Sequence, residues 1–457
     1  MAMSIAAGVR ASRWVPRFGL NSAHVAFATL VFFSAYGANG VKNAFGWWTW
    51  SILVVLEFAI ALTWLIRSGS IRRFFDLPRP LLVFWLFITV SLAWSQWRPE
   101  TLLGAVIFAV TVFTAFSFGA LMRWEEIIVG LSGALRWVLA LSFLFELWVS
   151  LVIRHPVLPV WLAGDPETAS LQLLWSRDLL FETGKIQGIV GNSSILAQVA
   201  AVALIALVVQ FAIGRIGRFW GGFWLVVIVL TLVLTRSATM TIALVATAVV
   251  GIAVLIRRRV PGLRGRLIFW ASAIVVAVVG LVAVVAEWDR ILGLFGKDGD
   301  LTGRTEIWAN TIALAVQRPW FGWGWLGYWP PWLDVLGHLN TRYGVAQLHA
   351  HNAWIDLWMQ VGLIGLALFA ILFVWVVVRA WHFAITPIDD GGRPAEFDHS
   401  IPDAARPRPR YRQVALLPIL VVTLFGVQSL TESGILVQEG LFTFATIAIA
   451  LARVRRR

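Results

Sequence analysis

Apolar runs of about 17–25 residues recur from one end of this chain to the other, each long enough to cross roughly 30 Å of hydrocarbon. The 457 residues are 59% hydrophobic and 13% charged, where a soluble domain carries about a quarter charged residues. The runs predict an all-α polytopic membrane protein, one integral membrane domain over 1–457. About twelve transmembrane helices are expected, at 21–38, 47–66, 81–97, 101–121, 138–153, 191–213, 219–235, 239–256, 267–286, 352–378, 413–431 and 433–452. The stretch 123–137, "RWEEIIVGLSGALRW", reads as an interfacial amphipathic helix leading into the fifth span.

The distribution of charge orients these spans. Of the 37 Lys and Arg, 26 fall on one side, most of them in short connections. By the positive-inside rule that side is cytoplasmic. Both termini then lie inside, the N-terminus as a retained lead-in without a signal-peptide cleavage site. Two extracytoplasmic loops follow, at 154–190 and, between spans nine and ten, at 287–351. The Pro-rich, charged stretch 383–412 is expected to be a disordered cytoplasmic loop. The net charge of +13 therefore suits a lipid bilayer and does not call for nucleic acid. Cysteine is absent, which excludes disulfides, a thiol nucleophile and a thiolate metal site. Without a P-loop or a sizeable cytoplasmic domain, an ATP-driven pump is not expected.

Four polar clusters gather at the outer ends of spans. "TGKIQGIVGNSSILAQVA" (183–200) carries Lys185 and Asn192 at the mouth of the sixth span. "LTRSATM" (234–240) places Arg236 in a short outer turn, where a guanidinium near lipid costs about 2.5–3.5 kcal/mol on insertion scales unless it snorkels. In "GRTEIWANTIALAVQRPWFGWGWLGYW" (303–329), Arg304 opens a helix expected to be capped by Asp300 or Thr302, the end where a macrodipole disfavours cations. The aromatic run at 319–332, with Trp323, Trp325 and Tyr328, suits an interfacial belt and equally a stacking surface for sugar or a clamp on a lipid chain. The fourth cluster, "HAHNAWIDLWMQVGLIG" (349–365), starts an apolar helix with two histidines and an asparagine. These serve either as interfacial caps or as chemistry, and a metal site of Asp334, His338, His349 and His351 is conceivable although its spacing matches no standard zinc pattern.

The four clusters, in this order over about 183–378, resemble the O-antigen ligase and polymerase superfamily. The pattern His351–Asn352 followed by Gly362 and Gly365 is similar to that family's signature. The sequence departs from it at Lys185, Gln360 and Leu366–Ala367, where the family often has arginine, glutamate and two threonines. The resemblance implies a ligase-type glycosyltransferase in the bacterial plasma (inner) membrane with an extracytoplasmic active site, independent of metal and cofactor. It would move a glycan from an undecaprenyl-pyrophosphate-linked donor to the hydroxyl of a glycan, lipid or cell-wall acceptor. The implied roles are His351 as general base, Arg236 and Arg304 with Lys185 as a pyrophosphate clamp, and Asn192, Asn352, Trp323, Trp325 and Tyr328 in substrate binding. The alternatives are a repeat-unit polymerase of the same superfamily, or a flippase or transporter for lipid-linked oligosaccharide.

Overall fold

The computed structural model describes residues 19–182, 185–260, 262–287, 290, 293, 303–342, 344–389 and 410–453. Its helices are α1 (Ser22–Tyr36), α2 (Ala38–Arg67), α3 (Arg79–Val90), α4 (Arg98–Leu121), α5 (Trp124–Trp148), α6 (Ser193–Ala212) and α7 (Arg218–Thr235). They continue with α8 (Ala238–Arg257), α9 (Gly262–Ala286), α10 (Arg304–Ala315), α11 (Ala353–Ile385), α12 (Leu416–Gln428) and α13 (Gln438–Arg453). Among the described residues, eight helices are long and apolar enough to cross a membrane, or nine if Ser70–Asp76 and Arg79–Ala93, bent by 86°, form one span. The other three expected spans fall on shorter helices: α1, the stretch Gln413–Gln428, and α13 with 16 residues.

The segment 123–137 is not a separate interfacial helix. It is the first half of α5, which runs unbroken from Trp124 to Trp148. The charges that suggested a wet face are satisfied inside the protein. Glu126, 2% exposed, accepts hydrogen bonds from the backbone N–H groups of Asn21 and Arg123. Arg136 donates to Ser132 and Gln210. With its polar groups paired, the helix packs against α1 through small residues, Gly130 meeting Ala28.

The long segment before α11 is stitched to a break in that helix. Gly362 has φ +67 within the helix, so the ladder of helical hydrogen bonds is interrupted there. Backbone left unpaired at this depth is tolerated only where protein covers it. The segment 319–324 does so: Trp323 and Gly324 donate to the carbonyls of Met359 and Gln360, and Leu363 and Ile364 donate to Pro319 and Trp320. A Cβ on Gly362 would lie 2.2 Å from the Trp320 carbonyl oxygen. Gly362→Ala is therefore expected to destabilise the protein by on the order of 1–3 kcal/mol. Thermal unfolding in detergent checks this; an unchanged melting temperature would mean the break is not held as described.

The expected disordered loop 383–412 is partly ordered at its two ends. α11 continues to Ile385, and Pro387–Ile388 pairs antiparallel with Arg410–Tyr411. The rest of that loop lies outside the described residues, as do the N-terminal lead-in, Asp300 and Thr302. Gly303, with φ +79, takes the N-cap position of α10.

Candidate active site

The site is built around the start of α11. Asn352 is its N-cap: Oδ1 accepts the backbone N–H groups of Trp354 and Ile355 at 3.0 and 3.2 Å, and Nδ2 donates to the Leu430 carbonyl at 3.0 Å. Two of the orphan N–H groups of a helix start are thereby satisfied, and α11 is tied to the turn after α12. One residue earlier, His351 adopts a left-handed conformation, φ +51, uncommon outside glycine. Its backbone N–H donates to Nδ1 of His349 at 3.1 Å. Burial pushes the His349 imidazole down to about 3, so this ring is neutral and available as the acceptor.

One turn into α11, two polar side chains fasten the preceding loop. Asp356 accepts from the Trp329 indole at 2.8 Å and from the Ala350 N–H at 3.3 Å. Gln360 accepts from the Leu326 and Gly327 N–H groups, at 2.8 and 3.0 Å, and donates to Asp356 at 2.9 Å. The spacing i, i+4 puts both on one face of the helix. Asp356 had no place in the sequence expectations, and Gln360 stood there only as a departure from the family pattern.

The residue that organises the site is one the sequence did not single out. Glu432, in the turn between α12 and α13, places Oε2 3.0 Å from Nδ1 of His351 and Oε1 2.5 Å from Nη2 of Arg304. The three side chains are 24%, 16% and 11% exposed for His351, Glu432 and Arg304. Burial alone would raise the Glu432 carboxyl. The charge and hydrogen bond of His351, then the charges of Arg304 and His349, outweigh it and bring the carboxyl down to about 2. Glu432 is thus ionised and can only accept. Nδ1 of His351 must carry the proton, which directs Nε2 away from the carboxylate.

A second wall carries the other expected cations. Glu146 of α5 is 1% exposed; it accepts from the N–H groups of Gln187 and Gly188 and from the Ser176 hydroxyl, at 2.9, 2.6 and 2.9 Å. This anchors the turn that leads from Lys185 to Asn192. Asn192 caps α6, accepting from the Ser194 and Ile195 N–H groups. Lys185 is half-buried; desolvation lowers its ammonium pKa, and the fields of Arg177 and Arg236 lower it further. Arg236 ends α7 in a left-handed turn, φ +47, with its side chain exposed. The hairpin that carries it reaches the Glu432 turn through Thr239 and Thr431, hydroxyl to hydroxyl at 3.1 Å.

The expected aromatic residues divide. Trp323 is 8% exposed, stacked on Trp97 at 5.7 Å with Arg318 over its ring at 4.1 Å. Trp325 is 1% exposed, edge-on to Phe84 and Phe108. Both rings are therefore committed to packing. Tyr328 lies beside His349, ring centroids 5.9 Å apart. In the same run Trp320, Phe321 and Trp332 are exposed, as an interfacial belt requires.

His349, His351 and Glu432 also present ligand atoms within 4.8 Å of one another, a set that zinc accepts. Those atoms are spent on each other: His349 Nδ1 on a backbone N–H, and Glu432 on His351 and Arg304. The guanidinium against the carboxylate opposes a further cation, so the set fits a metal poorly. Asp334 and His338, both exposed, are apart from this group, at the first residue and the C-cap of the short helix Asp334–Gly337.

Together, these features define a polytopic membrane protein whose extramembrane loops converge on an arginine–carboxylate–imidazole chain. Residues 222–370 match the O-antigen ligase family. Over 176 residues the chain is 31% identical to the exopolysaccharide production protein ExoQ of Rhizobium meliloti (strain 1021), a match covering 37% of this chain and 40% of that relative. Both matches support assignment of the chain to the O-antigen ligase superfamily of polysaccharide-biosynthesis membrane proteins.

Proposed function

We propose that this protein transfers a glycan from undecaprenyl pyrophosphate to an acceptor hydroxyl at the outer face of the plasma membrane, with the twelve-span topology set out above. The observation that carries the reading is the Arg304–Glu432–His351 chain. A carboxylate on Nδ1 fixes the tautomer and leaves Nε2 as the base, the arrangement by which a histidine removes a hydroxyl proton. As the acceptor oxygen bonds to the anomeric carbon, its proton passes to Nε2. The bond from that carbon to the pyrophosphate oxygen breaks, and undecaprenyl pyrophosphate departs as an anion.

That anion needs cations. A guanidinium has five N–H donors, so Arg304 can hold Glu432 and still offer its fork to a phosphate oxygen. Lys185 lies within the fields of Arg177 and Arg236, and a pyrophosphate beside it would relieve the repulsion. Asn192 and Asn352 act in this reading by positioning Lys185 and His351, and Tyr328 borders the acceptor side. Release of free undecaprenyl pyrophosphate by purified protein tests the reaction; lipid scrambling without release would favour a flippase. ExoQ is an exopolysaccharide production protein, and a repeat-unit polymerase is the second reading. In a deletion strain, accumulated single repeat units would show polymerisation, and unattached long chains would show ligation.

Two further outcomes are expected. Arg236→Lys and Arg304→Lys each slow transfer by roughly 10–100-fold, the loss of a charge-assisted hydrogen bond, whereas Lys185→Arg is tolerated; steady-state rates of all three decide it. Full activity in both lysine variants would remove the clamp. For topology, a cysteine at exposed Thr168 should react with a membrane-impermeant maleimide, and one at Ser400 should not. Labelling of Ser400 alone would invert the site.

A further inference from the structure

The Nε2 of His351 faces the side-chain oxygen of Gln347, 3.3 Å away. That amide cannot be turned to present its NH2 to the ring at no cost. Its Nε2 already donates to the Gln172 side-chain oxygen at 3.0 Å and to the Val345 carbonyl at 3.1 Å. With the amide oxygen fixed toward the ring and the Glu432 carboxylate on the other side, both ring nitrogens are placed as donors. A histidine held this way has no lone pair to offer a hydroxyl.

We propose that Gln347 is an acceptor gate, occupying the position of the incoming hydroxyl at His351 Nε2 and leaving it only when an acceptor enters. Gln347 directly follows the hairpin in which Thr341–Arg342 pairs with Val345–Ala346, and Gln172 belongs to the other outer loop. The gate therefore joins the two extracytoplasmic segments across the base. Opening breaks the contacts to Gln172 and Val345 as well as the one to His351. The Nε2 proton passes to solvent, which reaches the 24%-exposed ring, and the acceptor oxygen takes the place of the amide oxygen. Water is excluded as an alternative acceptor, because it is too small to displace the amide and make up for three lost hydrogen bonds. The gate explains how a transferase with a solvent-accessible base avoids hydrolysing its donor.

The inference rests on the transferase reading above, and the test separates the two. The probe is the lipid-linked oligosaccharide that accumulates in a deletion strain, extracted and supplied to the purified full-length protein with and without acceptor. Gln347→Ala is expected to raise acceptor-independent release of undecaprenyl pyrophosphate at least tenfold, lowering the ratio of transfer to hydrolysis. Gln347→Glu should do the opposite and slow both reactions, since a carboxylate holds the ring N–H more strongly than an amide. Gln172→Ala, which loosens the amide without removing it, should raise hydrolysis by a smaller factor. A purely structural Gln347 predicts parallel losses of transfer and hydrolysis in both Gln347 variants, and that result, or unchanged hydrolysis in Gln347→Ala and Gln172→Ala, overturns the gate. Failure of the wild-type protein to release any undecaprenyl pyrophosphate would overturn the transferase reading instead.

Discussion

His351→Ala should lower glycan transfer by about 10²–10⁴-fold, the usual contribution of a positioned general base. Insertion and donor binding should survive, because the ring caps no helix and Asn352 retains the bonds that start α11. His349→Ala should cost much less. Its neutral ring supports the left-handed backbone of His351 through one hydrogen bond, worth about 1 kcal/mol, or a few-fold in rate. A metal centre predicts a different pattern, with comparable losses at His349, His351 and Glu432 and inhibition by EDTA. The measurement is transfer by each purified variant with and without chelator. An active His351→Ala protein would sink the base assignment outright.

Glu432→Gln is expected to impair both stability and rate. The substitution leaves the Arg304 guanidinium and the His351 N–H facing a neutral amide, and removing one partner of a largely buried ion pair costs about 3–5 kcal/mol. The pH dependence follows from the lowered carboxyl. Its pKa falls from 4.5 to about 2 on folding, so the stabilisation is fully present above about 4.5 and is lost as pH falls toward 2. The shift corresponds to on the order of 3 kcal/mol. Unfolding of wild type and variant between pH 5 and pH 2 should therefore converge at the acid end. Two parallel stability curves would show that Glu432 is not ionised in the folded protein. In transfer assays the variant should lose roughly 10–100-fold, since the imidazole is no longer held in one tautomer.

The histidine and the arginines stood out as candidates in the sequence because each breaks a local rule: a ring at the mouth of an apolar helix, a guanidinium in a tight turn between two apolar helices, a cation in the first turn of a helix. Glu432 breaks none. It lies 81 positions from His351, in an ordinary turn between α12 and α13 and beyond the block that matches the family. Only folding brings it to the ring. Glu146 escaped for a related reason, being one carboxylate in an apolar helix whose backbone partners at 187 and 188 sit across a long loop. The aromatic run shows the converse, a conspicuous composition that hides a mixture. Trp323 and Trp325 turn inward and Trp320 stays outside, because glycines at 322 and 324, both with positive φ, let the chain fold back on α11. Span count suffered from length: α1 and α13 are apolar, yet their ordered helices have 15 and 16 residues, shorter than the runs that suggested them.

The fastening of the loop before α11 to Asp356 and Gln360 has a consequence for how this scaffold diversifies. The Trp329 N–H donates to the Leu348 carbonyl at 2.8 Å, closing a neck directly beside the bonds that hold Trp329 and Ala350 to α11. The described residues between Pro330 and Gln347 are an excursion beyond that neck, and within it Gly344 has φ +74 with open space around it. Residues inserted there would lengthen the arm that reaches over the base while the base, its carboxylate and the cations stay where they are. On the proposed reading, exchanging this cassette would change the acceptor without altering the residues that act on the donor.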